Sequence, residues 1–338
     1  MAWYQVKGNE ADVVFSSRIR FARNINGYPF GKRLDEKKAT EVISKVREAL
    51  GDTFVQTDLQ SLSALATEAL VEQHLISRDL ASAKGPRALF CNDNKSLSVM
   101  TPEEDHIRLQ CILPGLALRD AYRFALECDE QLDAALSIAF DEKLGYLTHC
   151  PTNLGTGMRA SVMLFLPALT ERGSIGALSH QLSKIGLTMR GLYGEGSKAH
   201  GCLYQISNQT SLGQSEEEIL HKLEEAVQSI ITQERELRAA VQGEAAERRA
   251  DRIARSEGIA RYATLLSSEE FFRLFADLKL GISLGLVTSL SHEALHTLFV
   301  NAMPATLSVR EANAPQSALE RDRLRARFVR DALEVTKK

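Results

Sequence analysis

The sequence predicts an α+β protein with a largely antiparallel sheet flanked by helices, followed by a helical C-terminal domain. At 338 residues the chain is longer than most single domains, so two domains are expected. Up to about residue 215, strand-like and helical segments are interleaved without the regular alternation of a parallel sheet. After Gly213 the composition shifts to Glu, Ala, Arg and Gln, which favours helices. We place the domains at residues 1–245 and 246–338.

Composition and charge argue against several classes of protein. The formal net charge is −3, so no general attraction to nucleic acid is expected. The N-terminus lacks the pattern of a signal peptide, and no apolar run approaches the ~20 residues of a membrane span. The five cysteines are widely spaced without a Cys-x-x-Cys pair, which argues against a disulfide framework or a structural zinc site. We therefore expect a cytoplasmic protein.

Several segments of the first 215 residues are predicted strands. Residues 13–20 pass from an apolar run into alternation, as expected for an early strand. Residues 87–91 and 96–100 flank a turn rich in Asn and Asp, which predicts a β-hairpin. Residues 107–113 and 203–208 are further strand candidates.

Helical patterns are interleaved with these strands. Apolar residues recur at helical spacing over residues 35–50 and 118–140, and the small apolar segment 160–165 predicts a buried helix. Ser215 precedes three glutamates and is a typical N-cap, so a long polar helix is predicted from there to about residue 255. Residues 259–336 continue in helical patterns broken near two prolines.

The most informative segment is CPTNLGTGMRASV at residues 150–162. It places a thiol, a Gly-x-Gly bend and one arginine within ten positions. A Gly-x-Gly bend lets backbone N–H groups approach an anion, and Arg159 has planar donors that can clamp it. The segment therefore predicts a phosphate site with Cys150 at its edge.

Three further segments carry polar residues suited to phosphoryl transfer. On a strand, Arg18 and Arg20 point the same way, either to anions or simply to solvent. The segment TPEEDHIR at residues 101–108 places acids beside an arginine between two strand candidates, where a site loop is expected. RGLYGEG at residues 190–196 is a Gly-rich turn with an arginine and a carboxylate. Each segment alone also fits an ordinary exposed surface.

Four motifs, taken in their order along the chain, resemble the catalytic domain of the phosphagen (guanidino) kinases. They are Ser-Ser-Arg-x-Arg, Glu-Glu-Asp-His-x-x-Arg, Cys-Pro-Thr-Asn-Leu-Gly-Thr and Arg-Gly-x-x-Gly-Glu. The resemblance covers about residues 12–210. These enzymes move the γ-phosphoryl group of ATP onto a guanidinium nitrogen. The resemblance implies a glutamine-synthetase-like catalytic fold, the use of ATP and Mg²⁺, and the roles of individual residues.

By that resemblance, His74 matches a histidine near the adenine. Glu104 and Glu195 match the carboxylates that hold the substrate guanidinium, with Glu104 as the base, and Cys150 matches the reactive cysteine of the family. Mg²⁺ would be carried by the nucleotide, and no metal site is expected on the protein itself. The arginines that match ATP-phosphate ligands are Arg18, Arg20, Arg108, Arg159 and Arg190.

The metabolic members carry a helical domain before the first of these motifs, whereas here that motif begins near residue 12 and a helical domain follows instead. This arrangement resembles the protein-arginine kinase branch of the family and implies arginine side chains of proteins as acceptors. Near the C-terminus, Arg-Asp-x-x-Arg-Ala resembles that branch's phosphoarginine-sensing motif. The match implies a second site at Arg321, Asp322 and Arg325. A charged helix face is the alternative.

The same resemblance implies partners. A homodimer or larger assembly is expected through the helical domain. Other implied partners are protein substrates with accessible arginines, a zinc-containing activator protein, a heat-shock repressor of the CtsR type, and a Clp-type unfoldase–protease that receives the tagged proteins in quality control.

Three alternatives stay open. HEALH at residues 292–296 matches the His-Glu-x-x-His zinc helix, with Glu311 or Glu320 as a third ligand, although an ordinary helix facing a core gives the same pattern. An adaptor that only binds phosphoarginine would keep the fold, but the expected arginines and carboxylates are all present, which favours an enzyme. A kinase acting on free arginine would share the whole site.

Overall fold

The structure is a computed structural model that describes residues 1–191, 200–311 and 317–335. Its central element is an eight-stranded antiparallel sheet with the strand order β2-β3-β4-β5-β1-β8-β10-β9. A separate hairpin, β6–β7, lies outside it. The strands are β1 (Val14–Arg23), β2 (Val55–Asp58), β3 (Ala88–Cys91), β4 (Leu97–Thr101), β5 (Ile107–Pro114), β6 (Phe140–Asp141), β7 (Gly145–Tyr146), β8 (Met158–Phe165), β9 (Leu187–Gly191) and β10 (Leu203–Asn208).

Helices flank the sheet and make up the C-terminal region. The helices are α1 (Glu36–Leu50), α2 (Ala64–Glu72), α3 (Arg78–Ser82), α4 (Leu118–Ala135), α5 (Pro167–Glu171), α6 (Ile175–Lys184), α7 (Glu216–Ala239), α8 (Gly243–Tyr262), α9 (Ser268–Ser283), α10 (His292–Asn301), α11 (Pro304–Val309) and α12 (Ala318–Val335). Within the described part of the chain, no helix is long and apolar enough to cross a membrane.

Alternation along the central strand β1 separates the core from the second face of the sheet. Ile19 and Phe21 are fully buried and join the main apolar cluster, which lies between the sheet and helices α1, α4 and α7. Arg18 and Arg20 take the opposite face. A second apolar cluster covers one end of that face, where α9 and α10 pack around Phe15.

The predicted fold class is confirmed, as are the early strand, the hairpin β3–β4 and the strands β5 and β10. The buried helix predicted at residues 160–165 is wrong, because these residues form most of β8. Both faces of β8 are covered, so its apolar run lacks alternation, and a short run of that kind does not distinguish a strand from a helix.

Two predicted helices are shorter than expected. The helix over 118–140 ends at Ala135, because the following backbone pairs with the chain beyond β1: Asn26 N–H donates to Ser137 O at 2.8 Å and Ala139 N–H to Asn24 O at 2.7 Å. The long polar helix begins at Ser215 with a capping box to Glu218, as predicted, but divides into α7 and α8 before Gly243, whose φ is +59°. The domain boundary at 245/246 stays a prediction.

Candidate functional site

The pairing of the strands puts the predicted arginines on one face of the sheet. In an antiparallel sheet, directly paired residues project to the same side. Arg20 pairs with Arg159 on β8, and Ala22, which shares the face of Arg20, pairs with Arg108 on β5. Arg18 pairs with Ser161, and Arg190 on β9 pairs with Gln205 on β10, which lies on the same side. The arginine face therefore draws on four strands.

A cavity of about 130 Å³ opens on the arginine face and brings most of the predicted catalytic residues together. Arg20, Arg108 and Arg159 are among the residues that line it. Glu104 and Cys150 line it as well, contributed by the β4–β5 loop and by the segment before β8. The remaining lining residues are Phe21, Ala22, Glu103, Asp105, Thr152, Asn153 and Gly157.

Arg18 and His74 line a second, smaller cavity on the same face. Its walls include Trp3, Ser161 and Gln205. Arg18 donates to Gln205 Oε1 at 2.6 Å. The pKa of His74 is lowered to about 4 by burial and by the neighbouring Arg18, so its imidazole is neutral and suited to contact an uncharged ring.

The electrostatics of the arginine face suit an anionic ligand. Burial, followed by the charges of Arg108 and Arg159, lowers the pKa of Arg18 to about 9, and burial with its arginine neighbours moves the pKa of Arg20 well below its ordinary value. The Nε of Arg20 is buried and has no hydrogen-bond partner among the described residues. Crowded cations with an unsatisfied donor favour a polyanionic ligand such as a triphosphate.

Two adjacent glutamates of the β4–β5 loop behave differently. Glu103 accepts from Arg108 at 2.5 Å and from the Ser77 hydroxyl, and these contacts lower its pKa although burial opposes them. Glu104 is exposed, and its pKa is raised by desolvation and then by the charges of Asp105 and Glu103. Glu104 therefore has the properties of a proton acceptor at the cavity, whereas Glu103 holds Arg108.

The next two residues of that loop hold the site together. Asp105 accepts from Asn24 Nδ2 and from His149 N–H, both at 2.6 Å, so it joins the β4–β5 loop to the segment that carries Cys150. His106 accepts from Ile25 N–H at Nδ1 and lies 3.1 Å from Pro29 O at Nε2, which places its proton on Nε2. Both side chains are buried.

The glycines of the Gly-x-Gly bend have a packing role that the sequence did not predict. A Cβ on Gly157, whose φ is +63°, would lie 2.5 Å from Arg23 Nη1 and 2.7 Å from Ala22 O. A Cβ on Gly155 would lie 2.8 Å from the backbone of Leu212. The bend needs glycine because protein atoms press against it. Cys150, which precedes the bend, also lines the cavity, and its Sγ lies 3.1 Å from Thr152 Oγ1.

Several residues that order the site were missed from the sequence. Ser207 accepts from Arg159 Nη2 at 3.2 Å, and Gln205 accepts from Arg18; both are the polar positions of the alternating strand β10. Arg23, the third arginine of β1, faces the core, where it pairs with Asp129 at 2.7 Å and lies against the ring of Tyr146.

Other predicted site residues fall elsewhere. Arg190 lies on β9 at the edge of the sheet, and Glu195 lies outside the described residues.

In the predicted second site, Arg325 is 1% exposed and donates to Ala302 O, Leu266 O and Asp322 Oδ1 at 2.8–3.0 Å. Arg321 precedes this pair on α12 and is half-buried.

The HEALH segment begins α10. His296 is buried, stacks on Phe15 with ring centres 4.2 Å apart, and lies 2.8 Å from Lys279 Nζ. Over residues 1–191, 200–311 and 317–335, no group of three or more His, Cys, Asp or Glu side chains is placed to hold a metal. The segment therefore fits an ordinary helix whose apolar side faces a core, the alternative to the zinc site.

Comparison with known families accounts for nearly the whole chain. A family model described as ATP:guanido phosphotransferase, C-terminal catalytic domain, matches residues 36–237. A second, described as Protein-arginine kinase McsB C-terminal domain, matches residues 246–338.

Individual proteins agree with these models. Protein-arginine kinases of Moorella thermoacetica and Syntrophomonas wolfei are 41% and 42% identical to this chain, over 98% and 99% of it and 97% and 96% of their own lengths. Lombricine kinase aligns with a TM-score of 0.60 and 26% identity, over 71% of this chain and 70% of its own. The duplicated taurocyamine kinase of Schistosoma mansoni aligns with a TM-score of 0.60 and 27% identity, over 65% of this chain and 32% of its own.

Proposed function

This chain belongs to the ATP:guanido phosphotransferases, within the protein-arginine kinases, and we propose that it transfers the γ-phosphoryl group of Mg·ATP to arginine side chains of proteins, tagging them for quality control. The observation that carries the proposal is a cavity lined by Arg20, Arg108 and Arg159 together with Glu104 and Cys150. The arginines suit an anionic phosphoryl donor, and the carboxylate and thiol suit a cationic acceptor.

In this proposal the arginine face binds the nucleotide. Arg18, Arg20, Arg108, Arg159 and Arg190 neutralise the phosphates, and His74 lies beside the base. Phosphoryl transfer depends mainly on positioning and on stabilising charge, which fixed guanidinium groups provide. Because the described residues form no metal cage, Mg²⁺ would be held chiefly by the phosphates and would supply further charge neutralisation.

The acceptor guanidinium would lie against the carboxylate side of the cavity. Glu104 would align it and take its proton, and its raised pKa suits a base. Glu195 would be the second carboxylate, and the sulfur of Cys150 would face the same cation as a thiolate. An acceptor arginine has a pKa above about 12, so removal of its proton needs such alignment as well as a base.

The remaining expectations belong to the same proposal. The domains divide at 245/246, and the helical domain forms the homodimer or larger assembly. Arg321, Asp322 and Arg325 form a phosphoarginine site, in which the half-buried Arg321 and Asp322 would contact the ligand and the buried Arg325 would hold Asp322 in place. The protein works in the cytoplasm with a zinc-containing activator, a CtsR-type repressor and a Clp-type unfoldase–protease.

The test is transfer of label from γ-labelled ATP to an unfolded, arginine-rich protein, read before and after acid treatment because a P–N bond is acid-labile. Wild type is compared with Glu104→Gln and with Glu142→Gln, an exposed glutamate on the β6–β7 hairpin. We expect label with wild type and Glu142→Gln only. Label on free arginine alone would favour a small-guanidine kinase. ATP or phosphoarginine binding without transfer, even with a cognate activator present, would favour the adaptor.

A further inference from the structure

The single tryptophan of the chain is buried at the cavity that holds His74. Trp3 belongs to a short 3₁₀ helix, Trp3–Gln5, that precedes the sheet. It is 3% exposed, and it lines the cavity together with Arg18 and His74. Its backbone N–H donates at 3.0 Å to Asn94 O, in the turn between β3 and β4. The indole is therefore part of the wall of this cavity.

The polar atom of this indole is left unsatisfied. Trp3 Nε1 is buried and has no hydrogen-bond partner in the part of the chain that the structure describes. The neighbouring rings of Tyr4 and Phe15, with centres 5.6 and 6.4 Å away, pack edge to face against the indole. A buried donor without an acceptor destabilises a folded protein and calls for an explanation. A ligand that brings an acceptor into the cavity would provide one.

The cavity has the chemistry of a site for a heteroaromatic base. Phe15, Ile112 and Met163 give it apolar walls. The imidazole of His74 is neutral and suits contact with a flat, uncharged ring. An indole N–H can only donate, and the ring nitrogens of a purine that carry no hydrogen are acceptors. The unsatisfied donor of Trp3 thus matches what a purine offers.

The cavity has to open before a base can enter. Its volume of about 20 Å³ has room for about one water molecule. The walls that come from β1, β5, β8 and β10 are held by the hydrogen bonds of the sheet. Trp3 lies instead on a helix of only three residues. The indole is therefore the wall that shifts when the base enters.

We propose that Trp3 is a nucleotide-contacting residue, whose indole forms one wall of the base pocket and donates its N–H to a ring nitrogen of the purine. This inference rests on the proposed function, because that function brings ATP to His74. The family motifs give no role to Trp3. It precedes all four of them, and it lies outside residues 36–237, which match the phosphotransferase domain.

The experiment compares Trp3→Phe with Tyr4→Phe. Trp3→Phe keeps an aromatic ring and removes the N–H group. Tyr4→Phe removes a polar group from the neighbouring buried ring, which lines neither of the two cavities on the arginine face. Calorimetry gives the affinity for Mg·ATP and for Mg·tripolyphosphate, which carries three phosphates and no base. KM for ATP and KM for the protein acceptor are measured separately.

We expect Trp3→Phe to weaken binding of Mg·ATP and to raise the KM for ATP about three- to tenfold, as for the loss of one hydrogen bond. Its affinity for Mg·tripolyphosphate and its KM for the protein acceptor should stay at the wild-type values. Tyr4→Phe should bind both ligands as wild type does. In wild type, Mg·ATP should change the fluorescence of Trp3, whereas Mg·tripolyphosphate should leave it unchanged.

An equal loss of affinity for Mg·ATP and Mg·tripolyphosphate in Trp3→Phe would overturn the inference, because it would show a general disturbance of the arginine face. A lowered melting temperature with unchanged ATP affinity would overturn it as well and leave Trp3 a core residue. If Trp3→Phe does not fold, wild-type fluorescence that saturating Mg·ATP leaves unchanged overturns the inference. ATP binding that depends on Trp3 without any transfer to arginine would support the inference and contradict the proposed kinase activity.

Discussion

Substitution of Gly157 by alanine tests why the bend before β8 needs glycine. A residue with a side chain at φ +63° costs about 1–2 kcal/mol of backbone strain. The added Cβ would also lie 2.5 Å from Arg23 Nη1 and 2.7 Å from Ala22 O. Arg23 cannot yield easily, because it is held by Asp129 at 2.7 Å and by Thr156 O at 3.0 Å. Disruption of a buried ion pair costs about 3–5 kcal/mol, so we expect a total loss of about 4–7 kcal/mol.

The matched control is Gly173→Ala. Gly173 has a φ of +73° with nothing within 4 Å of an added Cβ, so only the backbone strain of about 1–2 kcal/mol is expected. Urea unfolding midpoints of the two variants give the comparison. Equal losses in the two variants, with a raised KM for ATP only in Gly157→Ala, would refute the packing explanation and favour the original expectation that the bend approaches an anion.

Three further predictions follow from the site and the core. Arg20→Ala should lower kcat/KM about 10³-fold without lowering the melting temperature, because it removes a crowded cation; a destabilised but active variant would contradict this. Glu104→Gln should lower kcat about 10²–10⁴-fold, and the wild-type rate should fall on acidification at a higher pH than an ordinary glutamate gives, since the base must be ionised. Burial, then the charge of Arg238, lowers the pKa of Lys279 from 10.5 to about 7. Between these two pKa values Lys279 carries a proton in the unfolded chain but not in the folded protein. The free energy of unfolding should therefore increase with pH across that range. Lys279→Met should abolish this increase. An identical dependence of stability on pH in wild type and variant would disprove the role of Lys279.

The sequence predicted that Arg18 and Arg20 lie on the same side of the sheet, because alternation is a property of the strand itself. Arg18 and Arg20 are two apart on β1, and the polar positions of β10 follow the same rule. The order of the motifs along the chain was also sufficient to predict the family. Where alternation is absent, as in β8, the prediction failed.

The roles of single charged groups depended on contacts that the sequence does not contain. Glu103 and Glu104 are neighbours with the same side chain, yet only the structure separates the one that holds Arg108 from the one with a raised pKa. Arg325 is 1% exposed and bonded to backbone carbonyls, which a charged helical pattern gives no reason to expect. Glu72 and α11 meet across most of the chain length.

The measurement that tests the central claim most directly is identification of the residue that receives the phosphoryl group. An unfolded, arginine-rich protein is incubated with the enzyme and Mg·ATP, digested at neutral or basic pH, and analysed by mass spectrometry. The account predicts phosphorylation on arginine, absent with Glu104→Gln and with Glu195→Ala. Phosphorylation on serine, threonine or lysine, or phosphoarginine that persists at the wild-type level in Glu104→Gln, would contradict it.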